Sequence, residues 1–449
     1  MFDRNLLLSR IDACRDGILA AERTLWQHPE SGYREWTAHA YLKEKYEALG
    51  YTLHEAGNIP GFWCELDTGR PGPCVGLFGE LDSLIVPSHP EADPVTGAVH
   101  ACGHNCQSAG LYGVAAALAA PGALDGLCGK IRLFAVPAEE LIEIEYREKL
   151  RAEGVIRFFG GKQEFMARGY LDGVDIGIMI HTSGGTGLSC DDGSNGCVIK
   201  RAVFRGRACH AASPSAGVNA LYAANTAMTA ANALRETFRD DDFIRFHPII
   251  TSGGIAVNSI PDTVTVESYV RGRTLDAIEK VNRKINRAFA ASAAAMGCRA
   301  ELYDHHGYAP RLNDSGLQEL MKEVAEPFFA PGEVKIHTGW GKGCSDFGDV
   351  ACVMPAIHPH IGGACGTGHG ADYMIKDPDK ACVTSAKVQV LMTARLLENG
   401  AAKAKEILAG AKVPFASIPD YLKSVERYEL AADAVTYGED GSITLKFAN

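Results

Sequence analysis

Along the chain, short continuous apolar runs alternate with stretches whose apolar residues recur at helical spacing. "CVGLFGELDSL", from Cys74, predicts a buried strand running into a loop, and "GLYGVAAALAA", from Gly110, predicts a helix. "KIRLFAVPAEE", from Lys130, predicts a second buried strand with two acids beyond its end. "VDIGIMIHTSGG", from Val174, predicts a third strand that ends at a histidine. Uninterrupted apolar strands separated by helices imply a largely parallel α/β sheet. In such sheets ligands bind beyond the carboxyl ends of the strands, where these acids and this histidine fall.

The pattern changes near Lys200. "KRAVFRG" alternates as a half-exposed strand does and is expected at a sheet edge. "GVNALYAANTAMTAANALRETF" predicts a helix, "FHPIITSGG" and "DTVTVESYVRGRT" two strands, "LDAIEKVNRKINRAFAASAAAMG" a helix, and "CRAELYDHH" a final strand. The order β-α-β-β-α-β is that of the ferredoxin-like split βαβ unit. The expected architecture is an α/β catalytic domain with a mostly parallel sheet, formed by residues 1–199 and 312–449, and an inserted lid domain over residues 200–311. The end of the chain, from about Asn399, predicts an alanine-lysine helix and a polar tail without recognisable chemistry.

Length and charge narrow the picture. With 449 residues, more than one core is expected. A net charge of −11 argues against nucleic acid or an anionic membrane as partner. No apolar run approaches the roughly 20 residues of a membrane span. The amphipathic, charged start and 14 scattered cysteines with no CxxC pair point to a cytoplasmic protein and against a thiol oxidoreductase.

The chemistry lies in "HACGHNCQSAG", residues 100–110, where imidazoles and thiols crowd ahead of a helix fit for burial. Buried groups of this kind need partners, and a zinc-like cation is one they bind well. Three further segments add candidate ligands: Glu139 with Glu140, His181, and His369 in "GTGHGADY". Cys102 and His104 are two residues apart, so an extended backbone would point both to one side. Each residue alone has an ordinary explanation as a cap, a packed ring or a solvated acid; together they form a ligand set. "DFG" at Asp346 lacks every other kinase element and is expected to be a loop that shapes the pocket.

Taken in order, "HACGH", "PAEE", "IMIHTSGG", "FRGRACHAASPSAGVNAL" and "GTGHGADY" resemble the metallopeptidase and amidohydrolase family of aminoacylases, carboxypeptidase G and auxin-conjugate hydrolases. The aminobenzoyl-glutamate hydrolase branch is the nearest in likeness, and "HPESGYREW" resembles the family's opening helix. The resemblance implies one or two divalent ions, zinc or manganese, held by Cys102, His104, Glu140, His181 and His369. It makes Glu139 the general base and His210, in the lid, the oxyanion donor, often reaching the site of a partner subunit. Asn258 and Arg271 resemble lid residues that hold a substrate carboxylate. It also implies a homodimer formed through the lid, for which the "KRAVF" edge would offer backbone groups.

Relatives usually carry aspartate and histidine where this chain has Asn105 and Gln107, and Gln107 is counted with the residues facing substrate. The segment after Glu140, "LIEIEYREKLRAEGVIRFFGG", is longer than is typical. The expected reaction is hydrolysis of the amide of an N-acyl or aroyl amino acid. The alternatives are hydrolytic deamination of an electron-poor aromatic amine of the nitroanthranilate type and a non-catalytic pseudoenzyme.

Overall fold

The computed structural model describes residues 4–447, which fall into two compact units. The first comprises Met1–Gly193, Arg311–Trp340 and Ser345–Ile418; the second comprises Ser194–Pro310, Gly341–Cys344 and Pro419–Asn449.

The first unit is built on a six-stranded sheet. Its order is His54–Glu55, Phe62–Asp67, Lys130–Val136, Cys74–Glu80, Ile176–Ile178 and Ala356–Ile357. The last four run parallel, and Phe62–Asp67 joins them antiparallel. Every residue of Cys74–Glu80 is buried, as expected of a central strand covered on both faces. The helix His104–Leu118 packs against it and buries all its residues but Tyr112. A second sheet pairs His181–Gly184 in parallel with His360–Cys365, setting His181 opposite His360.

The second unit is the expected ferredoxin-like order: Gly196–Arg205, Ala220–Ala233, a short edge segment, Thr263–Gly272, Leu275–Ala295 and Arg299–Tyr308. Both helices start at side-chain caps. Asn219 accepts from the Leu221 and Tyr222 N–H groups, and Thr274 from that of Ala277.

Two expectations are corrected here. "KRAVF" lies in Gly196–Arg205, which is central rather than at an edge; Thr263–Gly272 pairs with it on one side and Arg299–Tyr308 on the other. Alternation of residue types reports which face is wet but not where a strand sits in its sheet. The chain's last part also does not stay with the first unit. Leu430–Asp433 adds a strand beside Arg299–Tyr308, so the tail closes that edge of the lid sheet. Among the described residues no helix is long and apolar enough to cross a membrane.

Candidate metal centre

Six side chains of the first unit converge. Donor atoms of Cys102, His104 and His181 all lie within 4.8 Å of one another, as do those of Cys102, Glu140 and His369, and those of His104, Glu139 and Glu140. Cys102 belongs to two of these triads, and so does Glu140.

The backbone between Cys102 and His104 is not extended, contrary to expectation. Cys102 lies in a turn, Gly103 has φ 88°, and His104 opens the helix His104–Leu118. A left-handed φ of this kind favours glycine. The two ligands therefore face one centre because the chain turns, not because it alternates.

Hydrogen bonds orient the imidazoles. His104 Nδ1 donates to the Asp82 carbonyl oxygen at 2.9 Å, with Asp82 Oδ1 3.1 Å away. His181 Nδ1 donates to the Thr182 carbonyl at 2.6 Å. Protons on both Nδ1 atoms leave both Nε2 lone pairs for the centre. Cys102 Sγ lies 3.3 Å from His181 Nε2, and Glu140 Oε1 lies 3.4 Å from His369 Nε2.

The Glu139–Glu140 dipeptide is held by its backbone. It follows Ala138, whose φ of 59° is strained for a residue with a Cβ. Ala138 N–H donates to Glu35 Oε1 at 2.7 Å, and Glu140 N–H to Asp82 Oδ2 at 2.7 Å. The buried guanidinium of Arg147 donates to the carbonyls of Phe159 (2.6 Å) and Glu140.

Beneath the ligands lies a charged layer that the sequence pattern did not reveal. Lys162 Nζ donates to Glu80 Oε1 and to Asp346 Oδ1, each at 2.5 Å. Asp346 is thus a buried ion-pair partner at the start of the short helix Phe347–Ala351, not a loop shaping a pocket. Gln107, expected to face substrate, is buried and donates from Nε2 to Glu80 Oε2 at 2.7 Å.

Burial pushes the Glu139 carboxyl well above the ordinary range, and Glu80, Glu140 and Asp346 add to the effect. Burial would raise Glu80 as well, but Lys162, His104 and His181 bring it below its usual value. Asp346 is pushed up to about 7 by burial, although Lys162 opposes this.

Two atoms of the cluster, His104 Nε2 and Glu140 Oε1, make no hydrogen bond; the first lies 3.2 Å from Glu80 Oε2 and the second 3.4 Å from His369 Nε2. Imidazole, thiolate and carboxylate are the donors that zinc or manganese accept, so the residues fit a divalent metal.

His210, Asn258 and Arg271 belong to the second unit. His210 and Asn258 are neighbours: both are exposed, and Ala211 N–H donates to the Asn258 carbonyl at 2.9 Å. His210 Nδ1 accepts the Ala212 N–H at 3.0 Å, which leaves its proton on Nε2. Arg271 is not part of this pair. It lies on Thr263–Gly272 opposite Cys197, with its guanidinium over the Tyr269 ring at 5.3 Å.

A cluster of thiol, imidazole and carboxylate donors, running from buried His104 to exposed His369 at the carboxyl ends of a mostly parallel sheet, is that of a metallohydrolase. The chain belongs to peptidase family M20/M25/M40, whose model matches residues 77–395. It is 29% identical over 372 residues to a Mus musculus protein described as Xaa-Arg dipeptidase, covering 78% of each chain. It is 26% identical over 333 residues to one of the chains of the p-aminobenzoyl-glutamate hydrolase of Escherichia coli, covering 72% of this chain and 64% of that one. Among solved structures it is similar to the Klebsiella pneumoniae aminobenzoyl-glutamate utilization protein, with TM-score 0.65 and 18% identity over 88% of this chain and 99% of that one. It is also similar to the Bacillus subtilis YXEP protein, described as a dinuclear metal binding peptidase, with TM-score 0.62 and 20% identity over 86% and 99%. The chain is a hydrolytic enzyme of this family.

Proposed function

We propose that the protein cleaves the amide C–N bond between an acyl or aroyl group and an amino acid. The observation that carries this reading is the convergence of Cys102, His104, Glu140, His181 and His369 around unsatisfied ligand atoms, with Glu139 beside them. Those five residues would hold one or two zinc or manganese ions. When bound, such ions polarise a carbonyl and bring the pKa of water toward about 7. Glu139, buried and raised in basicity, takes a proton from the attacking water at its carboxylate and later delivers it to the departing nitrogen. His210, with its proton on Nε2, donates to the carbonyl oxygen as negative charge develops there. Asn258, next to His210, and Arg271 bind a substrate carboxylate, and the active form is a homodimer. The curated relatives support this substrate class: one is an N-acetyl-L-cysteine deacetylase of Bacillus subtilis, 28% identical over 323 residues.

The test is divalent-metal analysis of the purified protein, followed by assay of native and Glu139→Gln protein on a panel of N-acyl and N-aroyl amino acids. Glu139→Gln is expected to keep its metal and to lose about 10²- to 10⁴-fold in kcat. Native protein that holds no metal and cleaves no member of the panel would overturn the reading. Release of ammonia from nitro-substituted aromatic amines, without amide cleavage, would replace it with hydrolytic deamination.

A further inference from the structure

Glu139 belongs to two clusters at once. One set joins it to His104 and Glu140, and another joins it to Glu80 and Asp346; in each, all donor atoms lie within 4.8 Å of one another. The second set is three buried carboxylates with no imidazole or thiol, an oxygen-only set of the kind that manganese or magnesium accepts. Three carboxylates this close, out of water, must either take up protons or be met by positive charge.

The ammonium set between two of them is that of Lys162, while His104 Nε2 lies 3.2 Å from Glu80 Oε2. The Lys162 side chain is completely buried, and its ammonium bonds to Glu80 and Asp346. The main chain delivers it there. Lys162 N–H donates to Asp346 Oδ2 at 2.9 Å, and Gly161 lets the helix Gly161–Ala167 press against the Pro137 backbone. A Cβ at Gly161 would lie 1.7 Å from the Pro137 carbonyl oxygen. The lysine is thus fixed to the segment that leads into Glu139.

We propose that Lys162 is a positioning residue that acts as a built-in counter-cation, filling the Glu80–Glu139–Asp346 pocket so that no divalent ion is captured there and Glu139 stays outside metal coordination. An ammonium differs from a metal ion in the respect that matters. It balances charge through hydrogen bonds to Glu80 and Asp346 and leaves the Glu139 oxygens uncoordinated, whereas an ion in the pocket would take them as ligands. The catalytic half of this inference rests on Glu139 as the proton carrier; the metal count does not.

The experiment counts manganese. Native, Lys162→Met and Lys162→Met/Asp346→Asn proteins are loaded with excess Mn²⁺, gel-filtered and measured by elemental analysis. Lys162→Met is expected to retain one equivalent more than native, and the double variant, short of one carboxylate, to lose that extra equivalent. The kcat of Lys162→Met is expected to fall about 10²-fold as Glu139 becomes a ligand. Folded Lys162→Met with the native metal count would overturn the proposal. If Lys162→Met folds only when Mn²⁺ is added, the ion has replaced the ammonium and the proposal stands; failure to fold at any Mn²⁺ concentration overturns it. Should Glu139→Gln keep full activity, the proton-carrier reading falls, and the manganese count still decides the role of Lys162.

Discussion

Arg147 offers a stringent test of how the Glu139–Glu140 dipeptide is held. It sits in the helix Ile144–Ala152, in the segment after Glu140, and only 1% of its surface is exposed. Its guanidinium bonds to the carbonyls of Phe159 and Glu140 and lies over the Tyr33 ring at 5.6 Å. Replacing it with methionine keeps most of the volume and removes the donors. Hydrogen bonds to a charged group are worth about 1.5–3 kcal/mol each, and stranded carbonyls add their own penalty. Two such bonds set the expected loss of stability at about 3–6 kcal/mol, measured by urea denaturation at constant metal. The functional loss should exceed what misfolding explains. Ala138 adopts its strained φ of 59° only while its surroundings enforce it, and a displacement of about 1 Å at the reacting groups costs on the order of 10² in rate. Folded Arg147→Met is therefore expected to show kcat reduced about 100-fold with KM little changed, and Arg147→Lys to recover only part of it. Native kcat in a folded Arg147→Met protein would refute the idea that this side chain positions Glu139 and Glu140.

Two further outcomes follow from the layer around the ligands. Asp82 orients His104 through Oδ1 and holds Glu140 N–H through Oδ2, so Asp82→Asn should weaken metal affinity about 10- to 100-fold, as read by competition with a chelating dye; an unchanged Kd would exclude this role. Glu22 has its carboxyl pushed up from 4.5 to about 6 by burial. An acid raised in the folded state binds more protons there than when unfolded, so stability should fall as pH rises from about 4.5 to about 6 and then level off. Glu22→Gln should remove that dependence and stabilise the protein at pH 7 by up to about 2 kcal/mol, measured as a shift in the denaturation midpoint across pH.

The candidate ligands were legible because their residue types are out of place where they stand. Thiol and imidazole before an apolar helix, or a histidine ending a buried strand, ask for a partner that only chemistry supplies. The same logic missed the supporting layer. Lys162 and Arg147 lie in a stretch rich in charge, which reads as solvated surface until the fold is known. Their partners are remote: Lys162 meets Glu80 and Asp346 across 82 and 184 residues of chain, and no local spacing records such pairings. Glu80 and Asp82 did carry a signal, being acids at the end of a wholly buried strand. The place of Gly196–Arg205 in its sheet, and the return of Leu430–Asp433 to the lid, depend on which strands pair, and alternation is silent on that.

The two departures in the "CGHNCQ" motif take on a definite meaning in this layer. Asn105 and Gln107 are both buried, and their amide nitrogens turn to carboxylates. Asn105 Nδ2 donates to Glu22 Oε1 at 2.8 Å, and Gln107 Nε2 to Glu80 Oε2 at 2.7 Å. An aspartate at 105 would set two buried carboxylates against each other and require a proton between them, whereas the amide satisfies Glu22 as it stands. At 107 a neutral amide donor suits a Glu80 whose charge Lys162 already balances; a protonated imidazole there would add a second cation to the same carboxylate. The candidate ligands are thus backed by amides that match the charges already present.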